Sequence, residues 1–292
     1  GICDTLCFGA ETPDPASLMD TAAALLSDGF PPLLKAELEK GCPFPAARQA
    51  ALEMMGLRSD ILQDPNNILA VEYCKAILAR NADMEIFPIL REGSYHAEIA
   101  DGENPSATAV RELMLYRHNW KTFVPGNARG IFETAPLHTM AAGEKAVLYR
   151  LRTMTDAEFE ALPYGSEGLW RKLMKACREL SALEDIIAAT KSKRYTRTRI
   201  DRMIMCAFLG ITKEQLEAPV PYTRVLAFND KGRILLKEAK KQGTFLNAGE
   251  RSEGAYWELE KRCGDLYGLF RTEGTDGPGA EEARRVIYHG DR

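Results

Sequence analysis

Apolar positions recur at helical spacing over residues 16–27, with Leu18, Ala22, Leu25 and Leu26 on one face. A second helix is predicted from the Pro31-Pro32 pair to Gly41, and a third over residues 45–55 with Gly56 as its stop. Both follow the preference for Pro at helix starts and Gly just past their ends. The loop Asp64-Pro-Asn-Asn67 feeds a helix over residues 68–80. Two apolar stretches read instead as strands, residues 2–8 as a strand end and residues 84–90, with Arg91 at the carboxyl end of the latter. Pro88 marks an edge strand or an early strand end. A short strand or turn over residues 95–99 leads to Asn104-Pro-Ser-Ala-Thr108, the start of a helix running to about residue 120.

From about residue 137 the pattern becomes mostly helical. Thr155-Asp-Ala-Glu158 and Ser181-Ala-Leu-Glu184 are capping-box signatures. An apolar helix follows over residues 203–209 and stops at Gly210, then a lone strand over residues 222–228, a helix over 232–242 and another over about 255–269. Strands alternating with helices predict an open α/β sheet domain over residues 1–140, followed by a mainly helical domain over residues 141–292. The opening on Gly1 and a strand end, with no initiator Met and no first βα unit, reads as entry in mid-domain.

Charge changes this picture at one place. Residues 191–202, Lys-Ser-Lys-Arg-Tyr-Thr-Arg-Thr-Arg-Ile-Asp-Arg, hold six cations and one acid in a chain of formal charge -4. Such density suits a polyanion, because cations that neutralise phosphates release condensed counterions. Lys191, Lys193, Arg194, Arg197, Arg199 and Arg202 are the candidate contacts, and Tyr195 is placed to stack on an unpaired base. A solvated helix face is the alternative. Seven scattered cysteines fit a reducing cytosol better than a disulfide framework. No apolar run is long enough to span a bilayer and no cleavable signal is present, so the expected location is cytoplasmic, without a membrane partner. His96, His118, His138 and His289 lack metal spacing and triad partners, so no protein-bound metal and no Ser-His nucleophile are expected.

Four smaller motifs fall at strand and helix ends, where an α/β sheet places ligand groups. Phe8-Gly-Ala-Glu11 follows a strand, and Gly9 would admit close approach of a nucleotide, although a plain turn also explains it. Asn66 or Asn67 is suited to cap the next helix or to meet an adenine edge or ribose hydroxyl. Arg91 is a strand-end phosphate ligand. Ser106 and Thr108 at a helix start form an anion site with free amides, and Arg111 lies one turn further on. An ordinary N-cap with an incidental Arg fits the same spacing.

Taken in order, Phe8-Gly-Ala-Glu11, Pro65-Asn-Asn-Ile-Leu69, Pro88-Ile-Leu-Arg91, Pro105-Ser-Ala-Thr-Ala-Val-Arg111, Glu167-Gly-Leu169, Lys193-Arg-Tyr-Thr-Arg-Thr-Arg-Ile-Asp-Arg202 and Arg224-Val-Leu-Ala-Phe228 resemble the tRNA(Met) cytidine acetate ligase family of the HIGH-type nucleotidyltransferase-like superfamily. The resemblance implies a Rossmann-like nucleotidyltransferase sheet domain, incomplete at its N-terminus, followed by a mainly helical tRNA-binding domain. It implies an enzyme that converts ATP and acetate to acetyl-adenylate, with Mg2+ accompanying the ATP, and acetylates the wobble cytidine of elongator tRNA(Met) to N4-acetylcytidine. Gly9, Asn66, Asn67, Arg91, Ser106, Thr108 and Arg111 would then bind ATP, and the residues from Lys191 to Arg202 the tRNA. No catalytic residue is assigned. The family's Asn-Pro-Phe-His-Asn-Gly-His loop, which grips the ATP phosphates, has no counterpart, and Ala10 stands where the family usually has Ser. The competing readings are a small-molecule nucleotidyltransferase and a non-catalytic RNA-binding fragment.

Overall fold

The structure, a computed structural model, describes residues 3–91, 105–116, 118–192 and 194–290. The chain divides into two compact units, residues 1–132 and 133–292. The architecture is mixed α/β with small parallel sheets.

In the first unit, β1 (Thr5–Ala10) leads into α1 (Pro15–Leu26), α2 (Phe30–Glu39), α3 (Phe44–Met54) and α4 (Pro65–Ala79), and β2 (Glu85–Leu90) closes the crossover. The strands run parallel, Thr5 opposite Glu85 and Ala10 opposite Leu90. Proline occupies the first turn of all four helices, where its missing N–H has no intrahelical partner to lose. Gly41 and Gly56, just past α2 and α3, have φ of 84° and 77°, a region that side chains rarely enter. Ala10, Leu18, Ala22, Leu52, Ile61, Val71 and Cys74 form the core.

The strand end expected over residues 2–8 extends to Ala10 as β1, and two helix boundaries also differ from the sequence expectation. The helix expected from residue 68 begins at Pro65, because a distant carboxylate satisfies its first amides. The helix expected to reach residue 120 is α5 (Ala107–Leu115). The chain leaves it to bury the Trp120 indole, which meets Phe132 edge-on with centroids 6.1 Å apart. The strand or turn expected over residues 95–99, and His96 with it, lies outside the described residues. Helix α6 (Arg129–Thr134) follows.

The second unit is mainly helical: α7 (Met140–Thr153), α8 (Asp156–Ala161), α9 (Leu169–Glu179), α10 (Leu183–Thr190), α11 (Arg197–Leu209), α12 (Lys213–Glu217), α13 (Asp230–Ala239), α14 (Ala255–Tyr267) and α15 (Ala280–Ala283). Val147, Leu151, Phe159, Leu169, Leu173, Ile186, Ile200, Met203 and Ile204 build its core. The capping box at Thr155 and Glu158 is present. The one expected at Ser181 and Glu184 is not, because two long-range contacts replace it. The Leu183 N–H donates to Glu144 Oε1 at 2.7 Å, and the Glu184 carboxylate accepts from Arg197.

The strand expected over residues 222–228 breaks at Leu226 into β3 (Thr223–Val225) and β4 (Ala227–Phe228). These pair in parallel with β5 (Phe245–Asn247) and β6 (Ile287–Tyr288) respectively. Strands of two or three residues are too short to show a period. Among the described residues no helix is long and apolar enough to cross a membrane, and all seven cysteines are free.

Gly143, inside α7, generates a prediction of unusual sign. A β-carbon there would overlap the ring of Phe270, itself buried and held edge-on against Phe208 at 5.5 Å. Helix propensity alone would make Gly143→Ala stabilising by about 0.5–1 kcal/mol. Overpacking a core costs about 1–3 kcal/mol, so the substitution is expected to lower the urea midpoint of unfolding. A raised midpoint would show that Phe270 moves aside freely.

Candidate functional site

The parallel register of β1 and β2 brings Gly9, Glu11 and Arg91 to one carboxyl edge, and the Arg91 N–H donates to Ala10 O at 2.9 Å. Nothing in the protein demands glycine at position 9, since a β-carbon would meet Arg91 Cβ at an ordinary 3.9 Å. Glu11, which sequence reasoning passed over as a mere neighbour of Gly9, organises this edge. Its Oε2 accepts from Asn67 N at 2.9 Å, and its Oε1 from Asn66 Nδ2 at 2.5 Å and Asn66 N at 3.4 Å. Partial burial works to raise the Glu11 pKa, but these hydrogen bonds outweigh it and hold the carboxyl below the usual glutamate range.

Asn66 and Asn67 therefore do not cap α4. Asp64 holds the N-cap position without a side-chain bond, and the two asparagines lie in the first turn. Asn67 is fully buried, with its amide engaged at both ends: Oδ1 accepts from Thr12 N at 2.9 Å and Nδ2 donates to Thr12 Oγ1 at 3.1 Å. Of the two candidate asparagines, Asn67 is therefore the one engaged within the protein. Asn66 stays with the candidate site, since its Oδ1 accepts from Arg91 Nη1 at 3.3 Å. Gly9, Glu11, Asn66 and Arg91 are thus gathered from three segments.

Ser106 caps α5, its Oγ accepting from Ala109 N at 3.1 Å, and is buried, while Thr108 and Arg111 are exposed. These three stand on a separate element, reached through residues 92–104, which lie outside the described residues.

The basic segment lies just before and within the first turns of α11, whose N-cap is Thr196. Lys193 is outside the described residues. Arg194 Nε pairs with Glu167 Oε2 at 3.1 Å, and Arg197 grips Glu184 with two bonds of 2.8 and 2.6 Å. Both carboxyls are held below the usual glutamate range by these hydrogen bonds. Arg199 is half-buried, donating to Tyr164 O at 2.9 Å and Ser166 Oγ at 2.8 Å. Lys191 and Arg202 are exposed.

Tyr195, the candidate for base stacking, is placed inside the protein. Its ring is 9% exposed and belongs to the core, and its hydroxyl donates to Glu167 O at 2.6 Å. The Arg194 and Arg199 guanidinium carbons lie 5.9 and 5.6 Å from its ring centroid. Tyr195 thus seats two arginines and cannot meet a base without leaving the core. All three residues bind the turn over residues 164–168, where Tyr164 and Glu167 adopt φ of 63° and 62°. Left-handed backbone at non-glycine residues costs of order 1–3 kcal/mol each and persists only when the surroundings impose it.

The model of the HIGH Nucleotidyl Transferase family matches residues 1–279. The chain is 30% identical over 261 residues to the tRNA(Met) cytidine acetate ligase of Clostridium acetobutylicum, covering 82% of this chain and 65% of that protein. The Thermosipho melanesiensis ligase is 32% identical over 251 residues, covering 80% of this chain and 59% of its own length. The chain thus spans about two thirds or less of these relatives. In fold it is similar to Thermotoga maritima TmcAL in its apo form, with a TM-score of 0.84, and bound with alpha-thio ATP, at 0.80. Each comparison is at 24% identity and covers 98% of this chain and 77% of the other.

Arg199→Ala is expected to destabilise the protein by about 0.5–1.5 kcal/mol, because it removes the hydrogen bonds that hold a strained turn. A denaturant titration unchanged within error would show that Arg199 does not hold the turn. The Glu11 contacts lead to a prediction about acid. Glu11, depressed in the folded state, contributes stability above its unfolded pKa and loses it as pH falls through the folded one. The stability gap between the wild type and Glu11→Gln should therefore close as pH drops below the usual glutamate range. A gap constant with pH would contradict the cap.

Proposed function

This chain belongs to the HIGH nucleotidyl transferase family, and from that membership we propose that it serves ATP-dependent acetylation of the wobble cytidine of elongator tRNA(Met). The observation that carries the reading is the cluster of Gly9, Glu11, Asn66 and Arg91 at the carboxyl end of a parallel strand pair. Open α/β sheets bind nucleotides at that edge.

The chemistry takes two displacements. An acetate oxygen attacks the α-phosphorus of ATP, the bond to the bridging oxygen breaks, and pyrophosphate leaves. The exocyclic amine of cytidine then attacks the acetyl carbonyl carbon of acetyl-adenylate, AMP leaves, and the amine gives up one proton. Such catalysis rests mostly on positioning and charge neutralisation. Arg91, oriented by Asn66, neutralises phosphate charge, and Gly9 lets the nucleotide approach the backbone. The α5 start, with Ser106, Thr108 and Arg111, binds a further phosphate through first-turn amides and the exposed cation. Mg2+ accompanying the ATP would supply further neutralisation of phosphate charge. The second unit holds the tRNA.

Arg91→Ala is expected to weaken ATP binding about 10- to 100-fold, the worth of one hydrogen bond to a charged group. Arg91→Lys should not restore it, because the planar fork that reaches both Asn66 and a phosphate is lost. Calorimetric titration with ATP reads the affinity, and nucleoside mass spectrometry of tRNA incubated with ATP and acetate reads the product. ATP binding indifferent to Arg91 would sink the site. AMP transferred to a small metabolite, with no N4-acetylcytidine, would favour the small-molecule nucleotidyltransferase instead.

A further inference from the structure

Residues 191–202 hold the densest positive charge in the sequence, yet the described arginines with the best geometry are engaged within the protein. Arg194 faces Glu167, Arg197 faces Glu184, and Arg199 holds backbone carbonyls of the turn over residues 164–168. A phosphate could recruit them only by breaking those contacts. Helix α9 presents the opposite arrangement. Leu169, Leu173, Ala176 and Cys177 are buried along one face, so the helical period puts Arg171, Lys172, Lys175 and Arg178 on and beside the outer face. No carboxylate occurs in α9 before Glu179.

The partners of these cations leave most of the charge available. Arg171 rests over the Trp170 indole at 4.9 Å, which orients the guanidinium without neutralising it. Lys172 Nζ donates to the Lys191 carbonyl oxygen at 3.2 Å, joining α9 to the start of the basic segment. Lys175 approaches Glu179 only at 3.9 Å with both side chains exposed, a pairing of little worth. Only Arg178, paired with Asp156, is firmly held. Arg171 and Lys175 lie four residues apart, about 6 Å along the helix, on a rigid element anchored by its buried face.

We infer that the outer face of α9, through Arg171, Lys172 and Lys175 and extended by Lys191, is the surface that contacts RNA backbone phosphates. Arg194, Arg197 and Arg199 then act as struts that hold the adjoining turn rather than as contacts. The inference rests on the reading that the second unit binds tRNA and deepens it by naming the contact face.

The test is filter binding of an elongator tRNA(Met) transcript to the 292-residue chain at two salt concentrations. The triple variant Arg171→Ala, Lys172→Ala, Lys175→Ala is expected to bind more weakly, with the log-log salt slope lowered in magnitude by about 0.7 to 0.9 for each phosphate that is no longer neutralised. Its thermal midpoint should stay near that of the wild type, because the three side chains lie on the solvent side. The charge-neutral pair Glu184→Gln with Arg197→Gln should lower the thermal midpoint and leave the slope unchanged. Wild-type affinity and slope in the triple variant would overturn the α9 face while leaving tRNA binding intact. The same weakening from Lys237→Ala with Lys240→Ala, at the carboxyl end of α13, would overturn it as a bulk-charge effect. An unaltered chain that binds no tRNA even near about 50 mM salt would overturn the tRNA reading, and the α9 face with it.

Discussion

At the amino end of α4, backbone N–H groups of Asn66 and Asn67 donate to one carboxylate, Glu11, more than fifty residues away in sequence. A helix leaves its first four amides and last four carbonyls unpaired, and leaving such groups buried without a partner costs about 1–3 kcal/mol each. The same constraint recurs through the second unit. Glu144 accepts from the Leu183 N–H at the start of α10, Arg150 donates to Ala207 O, and Arg262 donates to Gly210 O at the end of α11. Tyr195 and Arg199 serve the carbonyls of the turn over residues 164–168. Charged and polar side chains that bridge distant segments thus close many of the element ends.

That use of charge decides what remains for a ligand. In the first unit it ties the β1 edge to α4 through Glu11, so that Arg91 meets Asn66 at the strand ends. A site built this way is oriented before any ligand arrives, which lowers the ordering cost of binding. In the second unit it removes Arg197 and Arg199 from the pool of available cations and leaves the α9 face, where Arg171 and Lys175 lack firm partners. Charge density along a sequence and charge available at a surface are therefore different quantities.

The elements most legible in the sequence were those whose signals are local. Proline at the helix starts, glycine past α2 and α3, and the capping box at Thr155 and Glu158 each act within a few residues. The missed features each depend on a partner far along the chain. The capping box read at Ser181 and Glu184 failed because Glu184 met Arg197 across thirteen residues, a more favourable charged pairing than its own helix end. Strands β5 and β6 were invisible because two or three residues carry no period and exist only through pairing with β3 and β4.

For the candidate site the division runs the same way. The sequence by itself determined the family resemblance, the helical second half, the strand-end position of Arg91 and the place of the basic segment ahead of the apolar stretch over residues 203–209, because motif order and periodicity are properties of the chain alone. Only the tertiary structure decided which of those groups are engaged and which are open. It buried Asn67 against Thr12, turned Tyr195 into the core, and drew Glu11 onto α4. The physical reason is that a polar side chain takes whichever unpaired backbone group or opposite charge lies within about 3 Å in space, and spacing along the sequence does not specify that neighbour.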